Sequence, residues 1–197
     1  RAFCAGADIS RFARRQEGTA EEERPRIEWV QQVRQSKPIV CAVNGHAVGA
    51  GLTRILACDV IIASTRATFS MRFIRLGLTP TEYGCTQMLP QLVGLQAALD
   101  LSLSGKMIDA HEAGRIGLVY KVVEPDDLLP VALRCAASYA ANPPEAVMAA
   151  KQMFHAHAMR ADLADIMEKE METFARSAGS AEHKAAVKAF MEGRRKE

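Results

Sequence analysis

Short uninterrupted apolar runs alternate along this chain with longer stretches of helical spacing, the pattern of strands buried on both faces joined by amphipathic helices. Residues 39–43 (IVCAV) form the first clear run, β-branched-rich and polar on both sides, and predict a buried strand. Asn44-Gly45 breaks it as a turn, Gly49-Ala50-Gly51 follows with almost no side chain, and residues 52–58 predict a short, mostly apolar helix. Residues 60–63 and 67–70 predict two further strands. Residues 95–103 predict a helix with an apolar face, stopped near Gly105. Asp109 caps the next helix, Gly114 and Gly117 punctuate its end, and residues 118–123 return as a strand. From Asp126 onward the spacing is helical, with one break at Asn142-Pro143-Pro144. Ahead of the central run, residues 10–35 are polar, and Glu21-Glu22-Glu23-Arg24 reads as a solvated face. Pro25 opens a helix there whose buried stripe is Ile27, Val30 and Val33, with Trp29 and Gln31 outside or at an edge. Strand, turn, short helix, strand is an α/β pattern.

The glycine-rich turn at residues 44–51 carries the first chemical signal. A helix starting just after it turns its free N–H groups and the positive end of its dipole back into the turn, where negative charge on an oxygen is stabilised by backbone alone. The structural alternative is that the glycines only permit a tight strand-to-helix crossing. The order G-x-x-x-G-x-G does not match the dinucleotide-binding loop, and no Gly-Lys-Ser/Thr follows as a nucleotide-phosphate loop requires. The start of the chain, RAFCAGADI, supplies a strand end and a second small-residue turn, with the amide of Ala7 free to donate.

Together FCAGADI and NGHAVGAG resemble the two signature segments of the crotonase, or enoyl-CoA hydratase/isomerase, superfamily. The resemblance continues through CDVIIAS, FSMRFIRLGLTP, LPQLVGLQAALDLSLSGKMIDAHEAGRIGLVYKVV and the closing AFMEGRR, and so covers nearly the whole chain. It implies an α/β fold, a crotonase-like spiral of β-β-α units, with a core over residues 1–125 and a C-terminal helical oligomerisation region over 126–197. It also implies an oxyanion hole for the thioester carbonyl of an acyl-CoA, with Ala7 and Ala50 as the two amide donors. Ala5, Asp8, Ile9 and Gly49 would lie along the substrate, and Phe190 would cover the adenine. Arg194 and Arg195 would stand in as phosphate partners where the family often has a lysine and this chain has Gly193. Family members carry further strands ahead of residue 1, so a missing N-terminal portion is expected, and with it the lack of a strand to pair with residues 2–4. Homotrimers, or dimers of trimers, are the implied assembly.

Composition narrows the classes without choosing an activity. At 197 residues, 49% hydrophobic and 24% charged, the chain suffices for one good core. A net charge of +2 is too small to argue for nucleic acid or a membrane surface, so neither is expected as a partner, and no apolar run is long enough to span a bilayer. Cys4, Cys41, Cys58, Cys85 and Cys135 are odd in number and scattered, which reads as small buried hydrophobes of a reducing, cytoplasmic compartment. No metal site is expected: His155 and His157 sit two apart on a helix, and His111 and His183 read as surface residues. His46, in the turn, reads as a hydrogen-bonded structural residue, and Met148, Met153, Met159, Met167 and Met171 as packing residues between helices and subunits.

The reaction type is where the chain departs from the resemblance. Hydratases of the family use two glutamates, and their pattern falls here on Thr53 and Phe73, neither of which moves protons at neutral pH. Glu82 falls where isomerases and dehalogenase-like members carry an aspartate directed at the acyl chain; its bland reading is an acid complementing a helix N-terminus. The expectation is double-bond isomerisation of an enoyl-CoA by Glu82, with Thr53 and Phe73 lining the substrate and no cofactor beyond the coenzyme A of the substrate itself. Hydration despite Thr53 and Phe73, and a catalytically inactive acyl-CoA-binding protein, stand as alternatives.

Overall fold

The computed structural model describes residues 2–8, 27–80, 82–158 and the single residue 181. Within these the chain runs β1 (Ala2–Cys4), α1 (Ile27–Gln35), β2 (Val40–Val43), β3 (His46–Val48), α2 (Ala50–Ile55), β4 (Val60–Ser64) and β5 (Thr68–Ser70), followed by a 3₁₀ turn at Arg72–Leu76. It continues with α3 (Cys85–Val93), α4 (Leu95–Ser104), β6 (Ile108–Asp109), α5 (Ala110–Arg115), β7 (Lys121–Val123), a 3₁₀ turn at Pro125–Asp127, α6 (Leu128–Ala140) and α7 (Pro144–His157). Two compact units divide the chain, Arg1–Ala136 and Ala137–Glu197, with the end of α6 crossing the division.

The first unit is built from two sheets with the orders β1-β3-β5-β6 and β2-β4-β7. Every pair is parallel except the short β5–β6 pair. From β1 to β5 successive strands are dealt to the two sheets in turn: β2 and β4 pair in one, β1, β3 and β5 in the other. Each β-β-α unit thus adds one strand to each sheet before the chain advances, the spiral arrangement expected. Asp59 closes the first turn of the spiral by accepting the Ile39 amide at 2.7 Å.

Alternation along β4 shows why these runs are apolar throughout. Ile61 packs into the main core with Phe69, Leu52 and Leu89, whereas Ile62 faces a second cluster made with Leu128 and Ala132 of α6. Side chains of a strand point to opposite faces in turn, so a strand covered on both sides is apolar at every position. Burying each such isoleucine stabilises the fold by about 1.5–3 kcal/mol. In α1 Val33 is buried and Val30 half-buried while Trp29 and Gln31 are exposed, as the spacing predicts. Cys41 is held neutral: the neighbouring Cys58 thiol and burial push its pKa well above the ordinary range. Of the five cysteines read as buried, Cys41 and Cys85 are buried, whereas Cys4, Cys58 and Cys135 are half-buried.

Several boundaries differ from expectation. The central helix begins earlier and ends earlier, at Ala50–Ile55. The turn after Asn44-Gly45 contains a strand, β3, since His46–Val48 finds partners on both sides in β1 and β5. That also corrects the expectation that residues 2–4 lack a strand to pair with: β1 lies parallel to β3 from later in the chain. The expected strand over residues 118–123 is shorter, because Leu118 and Val119 donate their amides to Ala113 rather than to a sheet, leaving β7 at Lys121–Val123. His46 is structural, as read, with Nδ1 2.7 Å from the Thr68 hydroxyl on β5.

Candidate active site

The site is assembled where the turn after β1 meets the turn between β3 and α2. A methyl group added at Gly6 would stand 2.9 Å from the Val48 carbonyl oxygen and 3.8 Å from the Ala50 nitrogen. One added at Gly51 would run into the Cys4 carbonyl oxygen and lie 2.8 Å from Cys4 Cβ. Only glycine allows this approach, so the sequence pattern that suggested close backbone contact has that cause. Ala7 follows Gly6 directly and is exposed, and Ala50 is half-buried at the first position of α2.

Helix geometry leaves the amides at the start of α2 unpaired within the helix. Leu52 and Thr53 both donate to the Gly49 carbonyl, at 2.9 and 3.0 Å. The Ala50 amide, a turn too early for that acceptor, stays at the mouth of the helix beside Gly6. Gly49 itself is pinned by donating to the Ser70 carbonyl of β5 at 2.9 Å, and its backbone adopts φ 54°.

Thr53 is fully buried, and among the described residues its hydroxyl donates to the Ala50 carbonyl one turn back, at 3.4 Å. Phe73, in the 3₁₀ turn after β5, places the tip of its ring 3.7 Å from where a side chain at Gly49 would begin. The two positions that would hold the paired acids are therefore a capped hydroxyl and an apolar wall.

Glu82 lies ahead of α3 in a turn closed by the Cys85 amide donating to the Glu82 carbonyl at 3.0 Å. The bland reading of Glu82 as a helix-start acid fits loosely, since α3 begins only at Cys85, with Gly84 as its N-cap. Both central residues of the turn have positive φ: Tyr83 at 51° and Gly84 at 69°. Among the described residues Tyr83 is the one non-glycine in that region. The Cys85 thiol, buried and raised in pKa chiefly by that burial, donates to the Pro80 carbonyl at 2.9 Å and ties the turn down from behind. Glu82 is an exposed residue, and the partial burial of its carboxyl raises it above the ordinary glutamate range while the charge of Arg54 opposes that rise.

Arg54, on α2, donates to the Tyr83 hydroxyl at 2.9 Å and lies 5.2 Å over the Tyr83 ring. Neither residue was singled out from sequence. A lone cation inside the apolar helix GLTRILAC was the signal available, and spacing alone does not say what it meets.

Of the other expected substrate contacts, Ala5 and Asp8 are exposed beside Ala7. Ile9 and Phe190 lie outside the described residues, as do Arg194, Arg195, His183, Met159, Met167 and Met171. No helix among the described residues is long and apolar enough to cross a membrane.

Comparison with known proteins adds the following. The model of the family described as enoyl-CoA hydratase/isomerase matches residues 1–197. The short-chain-enoyl-CoA hydratase of Clostridium acetobutylicum is 37% identical over 199 residues, spanning 99% of this chain and 75% of that one. The 2,3-dehydroadipyl-CoA hydratase of Escherichia coli is 36% identical over 198 residues, spanning 98% and 75%. A solved enoyl-CoA hydratase from Polaromonas superimposes with a TM-score of 0.87 at 30% identity, over 98% of this chain and 76% of that one.

Proposed function

Because the chain belongs to the enoyl-CoA hydratase/isomerase family, we propose that it is an acyl-CoA enzyme that shifts a double bond through a thioester enolate. The Ala7 and Ala50 amides hold the thioester oxygen. As the Glu82 carboxylate removes a proton from the α-carbon of a 3-enoyl-CoA, the electron pair moves into the thioester and the oxygen takes up the charge, stabilised by the two amides. The Glu82 carboxylic acid then returns that proton to C4, the double bond settles between C2 and C3, and the thioester carbonyl reforms. The proton and electron balance closes with coenzyme A unchanged, and no cofactor takes part.

The observation that carries this reading is the chemistry at three positions: a buried Thr53 whose hydroxyl is turned to backbone, an apolar Phe73, and Glu82 as the remaining carboxylate. One carboxylate suffices to move one proton between two carbons. Hydration also requires a water to be held and deprotonated, a task better served by two acids. The acyl chain in this reading runs past Gly49 and Phe73, and coenzyme A past Ala5, Ala7 and Asp8. We read the protein as cytoplasmic; the exposure of Leu129 and Leu133 on α6 and Phe154 on α7 supports a trimer or a pair of trimers.

Hydration is the second reading, favoured by the hydratase names of the relatives above. The test is a pair of assays on short and medium enoyl-CoA thioesters, one following loss of conjugated absorbance and one following double-bond migration. Glu82→Gln keeps the size of the side chain and removes the base; double-bond migration should fall by about 10²–10⁴ with acyl-CoA affinity little changed. Full activity in Glu82→Gln overturns the assignment. Hydration without migration in the parent moves the protein to the second reading, and binding without turnover of any thioester makes it an acyl-CoA-binding protein.

A further inference from the structure

A tyrosine in the left-handed region costs about 1–3 kcal/mol, and such strain persists only where the surroundings hold it. Here it adjoins the residue on which the reaction turns: Tyr83 follows Glu82, and its φ of 51° lies at the first central position of the turn. What holds Tyr83 on its outer side is Arg54, which donates to the hydroxyl at 2.9 Å and lies 5.2 Å over the ring. A guanidinium can do both at once because it is planar and forked as well as charged, whereas an ammonium is charged but neither planar nor forked. Arg54 stands four positions, about one helical turn, after Ala50 on α2.

The charged and titratable groups around this turn come from three elements besides the turn itself. They are Arg54 on α2, Cys4 on β1 and Cys85 at the head of α3, together with Glu82 and Tyr83. Among the described residues Arg54 is the cation whose field reaches the Glu82 carboxylate.

We propose that Arg54 is a positioning residue for the reaction: its clamp on Tyr83 fixes the turn that aims Glu82, and its charge acts on the carboxylate so aimed. The inference rests on the assignment of Glu82 as the base. Burial lifts the Glu82 carboxyl and the Arg54 charge pulls it down. Since the base acts ionised, activity is lost as pH falls through the pKa of Glu82. Removing the cation leaves burial unopposed, so that loss moves to higher pH.

The experiment compares pH–rate profiles of the parent, Arg54→Gln, Arg54→Lys, Glu82→Gln and the Arg54→Gln/Glu82→Gln double variant, with near-ultraviolet circular dichroism reporting the fold. Arg54→Met serves as the charge-free variant if Arg54→Gln does not fold. The expected result is an acid limb displaced to higher pH in Arg54→Gln, with kcat falling more than KM changes. Arg54→Lys should keep the limb in place, because the charge is restored, yet turn over more slowly than the parent, because the clamp on Tyr83 is not. In the Glu82→Gln background, removal of Arg54 should shift nothing further. An unmoved limb in Arg54→Gln beside an inactive Glu82→Gln overturns the role of Arg54 alone. Full activity in Glu82→Gln overturns this role together with the assignment of Glu82.

Discussion

At the scale of single residues, the site depends on atoms that are absent. Gly51 has no side chain because the Cys4 carbonyl occupies the space where one would begin, and Gly6 has none because the Val48 carbonyl does. Gly51→Ala is helix-compatible in its dihedrals, so its whole effect comes from that collision. Crowding of this kind costs about 1–3 kcal/mol, and here the obstacle is backbone, which cannot rotate away as a side chain would. Relief requires β1 and the turn carrying Ala7 to move off α2, which separates the two amides. Thermal melts should show a lower midpoint, and turnover should fall by about 10²-fold, the cost of misplacing a reacting group by roughly an ångström. A variant with parental turnover would remove the Ala7 turn from the site.

At the scale of elements, short helices and strands are held by their ends. Helix α5 has only six residues, and Asp109 starts it by accepting the Glu112 amide at 2.8 Å. The same residue ends β6 and pairs with Thr68 of β5, so the cap also locates the edge of the sheet that contains β3. Asp109→Ala should cost about 0.5–2 kcal/mol, read from the denaturant midpoint at unchanged slope. A changed slope would mean that the edge strand is lost along with the cap. Helix α2, also six residues, is anchored differently, with buried Leu52, Thr53 and Ile55 packed inward and the Gly49 carbonyl taking two amides. Its orientation, and with it the aim of the Ala50 amide, is set by the core.

At the scale of the whole molecule, one feature of the described surface that the core does not explain is apolar. Leu129 and Leu133 on α6 are 63% and 66% exposed, one helical turn apart, while Leu128 and Ala132 from the same helix fill the second core cluster. A helix with one apolar face in its own core and another in water fits burial between subunits. Sedimentation velocity should find the parent as a trimer or hexamer and Leu129→Glu/Leu133→Glu as smaller species with the circular dichroism of the parent. A monomeric parent would refute the oligomeric reading.

Much of this was legible in the residues themselves. The β2 and β4 runs, the stripe of α1, the cap of α5 and the glycines of both turns could be read directly, because each follows from local sterics or from a period of two or 3.6. The positions of Thr53, Phe73 and Glu82 followed from the resemblance, and their chemistry follows from residue type alone. What the residues did not show was β3, a three-residue strand inside an apparent turn, since a strand so short exists only through partners at residues 2–4 and 68–70. Nor did they show the Arg54–Tyr83 contact across 29 positions of chain, the left-handed Tyr83, or the balance of burial against charge at Glu82. Local pattern determines which segments are strands and helices and where backbone must pass close to backbone. Which charge faces which carboxylate is decided only when distant segments are brought together, because field and desolvation depend on distance in space and carry no period along the chain.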